Sequence, residues 1–79
     1  MQETARTRII ALVEQIAEQP LGAIGHGDDL LVSGYLDSFG FVQLLLAMNA
    51  ELGVAISEDM QLDPRLRTID GLVDIVANA

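Results

Sequence analysis

The sequence predicts an all-α protein of four helices, with a long loop between the first and second and a short third helix. Three observations carry this. Apolar residues recur at spacings of three and four over most of the chain, the pattern of a helix buried along one face. The β-branched residues fall on those same spacings and never alternate, so no segment reads as a strand. Glycine and proline mark where periodic segments stop, with Pro20 and Gly22 after the first and Gly53 after the second. With 79 residues there is room for one core, and a single domain is expected over residues 1–79.

The first helix is expected from Thr4 to about Glu18, where Ile9, Leu12, Val13 and Ile16 form the buried stripe. Pro20 cannot continue it and Gly22 follows, so it should stop near Gln19. From Gly22 to Leu36 there are four glycines, two aspartates and no sustained period. A loop of that length in so small a domain is usually functional. Its Leu30, Leu31, Val32, Tyr35 and Leu36 are apolar enough that all five are expected to pack down onto the helices.

Asp37 and Ser38 are both good N-cap residues, and a nearly continuous apolar run follows to Leu52. Phe41, Leu44, Leu45, Met48 and Leu52 make one buried face. Phe39, Val42, Gln43, Leu46 and Ala50 make another, and a helix apolar on two faces needs two things to touch. Gly53 ends the helix. Val54 to Ile56 form an extended link, Ser57 caps a short helix from about Glu58 to Leu62, and Asp63-Pro64 breaks it. Thr68 caps the last helix, whose stripe is Ile69, Leu72, Val73 and Val76.

Composition closes off several functions. Twelve acidic residues against four arginines give a net charge of −8, which phosphate backbones repel, so no nucleic-acid partner is expected. Such acidity fits solubility and steering toward basic surfaces. No apolar run approaches the ~20 residues of a membrane span, and the polar stretch from Met1 to Arg8 is no signal peptide. A cytoplasmic, monomeric protein is expected, and Met1 and the compact ends favour a free-standing one. Cysteine is absent, which excludes disulfides, thiolate metal sites and a thiol nucleophile borne by the chain. The lone His26 is expected to be exposed in its loop. Asp28-Asp29 reads as a solvated pair, so no metal site is expected. Arg65 and Arg67 read as solvated or paired with Asp63 and Asp70.

The most informative stretch is Gly34-Tyr35-Leu36-Asp37-Ser38-Phe39. A serine at the mouth of a helix exposes its hydroxyl where backbone N–H groups point outward and the helix dipole favours a phosphate. From spacing alone, a plain capping role for Ser38 is the commoner explanation. The wider sequence adds more. Leu36-Asp37-Ser38-Phe39-Gly40-Phe41-Val42-Gln43-Leu44 resembles the phosphopantetheine attachment motif of acyl and peptidyl carrier proteins. Asp29 to Leu36 resembles the loop before that motif, Glu51 to Ser57 the stretch after its helix, and Thr68 to Leu72 the start of the last helix. The resemblance runs through nearly the whole chain in the family's order.

It implies an acyl-carrier-like bundle in which Ser38 bears a covalent 4′-phosphopantetheine arm taken from coenzyme A by a phosphopantetheinyl transferase, with Asp37 supporting the site. The arm's thiol would hold an acyl, aminoacyl or peptidyl cargo as a thioester, in a nonribosomal-peptide, polyketide or related biosynthetic pathway. The carrier itself would not be an enzyme; a cargo-loading ligase or acyltransferase and downstream synthase or transferase enzymes would supply the catalysis. Phe39, Val42, Gln43 and Leu46 would form the partner strip, unless some of them, Val42 above all, cover the loop or the third helix. Fatty-acid carriers bear several acidic residues along this helix; here Gly40, Gln43, Asn49 and Ala50 stand instead, closer to peptidyl or D-alanyl carriers. The alternative is a helical interaction module that binds a partner through this face with no prosthetic group. A Ser38–His26–aspartate hydrolase is rejected, because so small a helical domain offers no oxyanion hole and pocket.

Overall fold

The computed structural model describes residues 2–57 and 59–78. Three α-helices form: α1 over Gln2–Ala17, α2 over Ser38–Leu52 and α3 over Ile69–Ala77. Two 3₁₀ turns, Met60–Leu62 and Pro64–Arg67, join α2 to α3. The described residues contain no strand, so the chain is all-helical.

The short third helix differs from its expectation. The predicted start at Glu58 lies outside the described residues. Ser57 Oγ does accept from the Met60 N–H at 3.2 Å, but Met60–Leu62 makes only a single 3₁₀ turn. Asp63-Pro64 then starts a second turn where a break was expected. Pro64 occupies its first position, where a missing N–H costs nothing, and Asp63 caps it by accepting from the Arg65 N–H at 2.9 Å.

The core lies between the three helices. Ile9 and Val13 of α1, Leu44 and Met48 of α2, and Ile69 and Leu72 of α3 are fully buried. Leu30 from the loop and Leu66 from the second 3₁₀ turn complete it. Each such side chain contributes roughly 1.5–3 kcal/mol relative to exposure. Leu45 is also buried, while Phe41, Leu52 and Val76 are half-buried at its margin. Contacts at the two ends set α1 and α2 antiparallel. Arg8 donates to the Glu51 carbonyl at 3.1 Å, and Ile16 faces Gly40.

α1 stops at Ala17, two residues before the expected end, because Glu18 turns into the left-handed region at φ 58°. Such a conformation is unfavourable for a residue with a Cβ. The turn brings Leu21 back, so that its N–H donates to Glu14 Oε2 at 2.8 Å.

The long loop is sewn down at three places. The Tyr35 hydroxyl donates to the Gln19 carbonyl at 2.7 Å, and burial together with the nearby Glu14 charge pushes its pKa up. The Leu30 N–H donates to the Arg67 carbonyl at 2.7 Å, and the Asp70 N–H to the His26 carbonyl at 2.9 Å. Leu30, Tyr35 and Leu36 are buried as expected and Leu31 is half-buried, but Val32 is 82% exposed. Asp29 explains the difference. Its Oδ1 accepts from both the Leu31 and Val32 N–H groups at 2.8 and 3.0 Å, and this local turn points Leu30 inward and Val32 out.

Candidate functional site

Ser38 is the first residue of α2, and Asp37 is its N-cap. Two neighbouring residues were able to cap this helix, and Asp37 does so. Its backbone is extended, its Oδ1 accepts from the Gly40 N–H at 2.6 Å, and its carbonyl accepts from the Phe41 N–H at 2.9 Å. The capping reading of Ser38 is therefore corrected: its hydroxyl is not used by the helix.

That hydroxyl is available. Ser38 is exposed, and among the described residues its Oγ makes no hydrogen bond. The N–H groups of Ser38 and Phe39 likewise donate to no protein acceptor there, as expected for the first positions of a helix whose cap reaches only the third. Two free donors and the positive end of a 15-residue helix surround an open hydroxyl. This is a surrounding that suits a phosphodiester. Gly34, at φ 80°, makes the turn that leads into the site, and open space surrounds its α-carbon.

Below the serine, α2 presents apolar side chains to solvent. Phe39 is 70% exposed, Val42 52% and Leu46 66%, and Gln43 is exposed as well. Val42 lies one turn below Ser38, and Phe39, Val42 and Leu46 fall at i, i+3 and i+7 on one face. Val42 thus does not serve as a cover for the loop. Two further apolar residues stand out in solvent, Val32 in the loop and Leu62 in the first 3₁₀ turn, at 82% and 83%. Sequence reading assigned neither to a surface role. The Asp29 turn was the available signal for Val32; Leu62 had none, since an apolar residue at the end of a short helix reads as core.

The arginines are spent on the scaffold. Arg6 donates to Asp70 Oδ1 at 2.7 Å and to His26 Nδ1 at 2.9 Å, so His26 is half-buried and tied to α1 rather than exposed in its loop. Arg65 pairs with Asp63 at 2.9 Å, as expected, and also with Asp74 at 3.3 Å. Arg67 meets Asp29 at 3.9 Å, not Asp70. Asp28 and Asp29 turn their carboxylates to backbone N–H groups. Among the described residues, no three acidic or histidine side chains converge to hold a metal ion. No described helix is long and apolar enough to cross a membrane.

A family model for the phosphopantetheine attachment site matches residues 7–76. The chain belongs to that family. Its domains carry a covalent 4′-phosphopantetheine and serve as tethers, not enzymes. The carrier is therefore a non-catalytic protein whose thiol comes from its prosthetic group, in agreement with a chain that has no cysteine of its own. Carriers of this kind are generally served by a phosphopantetheinyl transferase and by partner synthetic enzymes. No curated protein sequence matches the chain.

Proposed function

We propose that Ser38 Oγ is the attachment point of the arm, and that residues 1–79 act as one carrier domain for an acyl, aminoacyl or peptidyl intermediate. The observation that carries this reading is an exposed, unengaged hydroxyl at the first position of α2 beside two undonated N–H groups. The prosthetic group supplies the thiol that holds cargo as a thioester. The chain's own residues do the rest. Ser38 offers the oxygen, the helix start favours the phosphate charge, and Asp37 holds that start in place through Gly40. Phe39, Val42, Gln43 and Leu46 receive partner enzymes.

The strip itself has no ionic side chain, so docking on it leans on apolar burial more than on charge and depends less on salt than docking on an acidic helix would. This supports a carrier of the peptidyl or D-alanyl kind, and we read it as a cytoplasmic monomer of a nonribosomal-peptide, polyketide or related pathway. The cargo-loading ligase or acyltransferase and the downstream synthase or transferase would meet the same face.

The test is intact mass after incubation with coenzyme A and a broad-specificity phosphopantetheinyl transferase, with Ser38→Ala alongside. One phosphopantetheine increment on the wild type alone is expected. An increment retained by Ser38→Ala would move the attachment to another residue. No increment on folded protein, with the transferase active on a control carrier, would favour the interaction-module alternative.

A further inference from the structure

A groove of about 680 Å³ lies between α1 and α2, on the flank of α2 away from Val42. Leu12 and Gly40 are buried in it, Ile16 and Ala47 are half-buried, and Phe39 and Leu46 stand exposed along it. Its floor is therefore apolar and its rim partly so. Asp37 and Glu51 bound it on α2, fourteen residues apart, which makes the groove about 21 Å long at ~1.5 Å per residue.

Charge defines what fits there. Glu18 and Asp37 stand at one end and Glu51 at the other, and no arginine lines the groove. Among the described residues none of these three carboxylates is in an ion pair. Three of the chain's four arginines are committed elsewhere, and the fourth, Arg8, stands beside the Glu51 end of the groove. Arg6 holds Asp70, Arg65 holds Asp63 and Asp74, Arg67 meets Asp29, and Arg8 donates to the Glu51 carbonyl and not to its carboxylate. A second copy of this chain, at −8 and with most of its cations already used, is a poor occupant.

We propose that this groove docks an amphipathic helix of a partner protein, apolar along one face and carrying lysine or arginine at both ends. The inference rests on the carrier reading and deepens it. A cleft between two antiparallel helices accepts a third by interdigitating side chains, and one of about fourteen residues spans its length. Apolar burial supplies the affinity, while the carboxylates select the sign of the helix. The consequence is specific: Gln15 of α1 and Glu18 just beyond its end become partner-binding residues, and Val42 is not needed for this contact.

The test uses the full chain and a fluorescein-labelled fourteen-residue peptide with leucines at i, i+3, i+4 and i+7 and two lysines at each end. A second peptide carries glutamates in place of the lysines. Anisotropy should show saturable binding of the lysine peptide, at least tenfold tighter than the glutamate peptide. Amide shifts should move along Gln15, Glu18, Gln43 and Ala47. Glu18→Lys should weaken binding by about two- to fivefold, the range that one exposed ion pair spans, and Gln15→Arg should weaken it too, while Leu62→Arg, exposed and outside the groove, leaves it unchanged. Equal affinity for the two peptides, no binding at millimolar concentration, or shifts confined to α3 and the Val42 flank would overturn the proposal. Loading of Ser38 by the transferase is measured on the same variants. A loss of loading strikes at the carrier reading, whereas intact loading without peptide binding strikes only at the groove.

Discussion

The starts of α2 and α3 use the same local device. Asp37 accepts from the Gly40 N–H at 2.6 Å, and Thr68 accepts from the Gly71 N–H at 3.0 Å, each cap reaching a glycine three residues on. At the first helical position the two diverge. Ile69 is fully buried in the core, whereas Ser38 faces solvent. At the second, the Asp70 N–H donates to the His26 carbonyl and its carboxylate binds Arg6, while among the described residues nothing accepts from the Phe39 N–H. One helix start is closed by its neighbours and the other is left open. The same cap serves structure in one place and leaves room for function in the other, and the tertiary surroundings make the difference.

The sharpest way to expose that contrast is to place a methyl group at each glycine. A Cβ on Gly71 would collide with the Arg65 carbonyl oxygen and lie 2.7 Å from two further Arg65 backbone atoms. Backbone cannot step aside as a side chain can, so Gly71→Ala should cost about 3 kcal/mol, the upper end of what overpacking usually costs, and lower the urea midpoint markedly. A Cβ on Gly40 meets only side chains, the nearest being Asp37 Oδ1 at 3.2 Å. Gly40→Ala should therefore lose part of the cap and about 1 kcal/mol. Urea denaturation followed by circular dichroism compares the two, and equal losses would show that the α3 start is not the more tightly closed.

Removing the caps themselves gives a middle-sized effect. Asp37→Ala and Thr68→Ala should each lose about 0.5–2 kcal/mol. Only the first should also slow loading by the transferase, because only the α2 start is presented to an enzyme. Ser38→Ala should change stability by less than about 0.5 kcal/mol, the ordinary range for a surface substitution, while abolishing loading. A stability loss as large as that of Asp37→Ala would mean that the serine shares the capping role after all.

How far the residues themselves announced this arrangement differs from site to site. The helical periods of α1, α2 and α3 were plain, because each carries a stripe whose spacing admits no strand. The place of the site was plain too, since a polar pair before a long apolar run marks a helix start. Which of the pair would cap was not decided by type, because Asp and Ser are near equals there; the extended backbone at residue 37 decides it. Pro64 was read as a breaker and acts as an initiator, since proline does either according to whether a turn precedes or follows it. Val32 and His26 were misjudged for one shared reason. Their surroundings come from residues far along the chain or from a backbone turn, and neither leaves a periodic mark. The groove between α1 and α2 was beyond reach, because its two walls are about twenty residues or more apart in sequence.

The smallest expected effect tests how the α3 start is held closed. The Arg65 carbonyl that faces Gly71 belongs to a turn fixed by Asp63, which accepts from the Arg65 side chain at 3.0 Å and from its N–H at 2.9 Å. Those side-chain and backbone hydrogen bonds from Arg65 hold the Asp63 carboxyl below the usual aspartate range. A folded-state pKa below the unfolded one means that the contribution is complete above the ordinary aspartate range. It is lost as acid carries the pH down through that range to the lowered value. Melting temperatures taken from about pH 5 to pH 3 should thus fall more steeply for the wild type than for Asp63→Asn, which keeps an acceptor for the Arg65 N–H but no titrating charge. The gap should be small, since both partners are open to water and such pairs contribute little. Identical slopes would mean that the Asp63–Arg65 bond is not populated in solution, leaving the cap at Thr68 and the contacts of Asp70 to keep the α3 start closed.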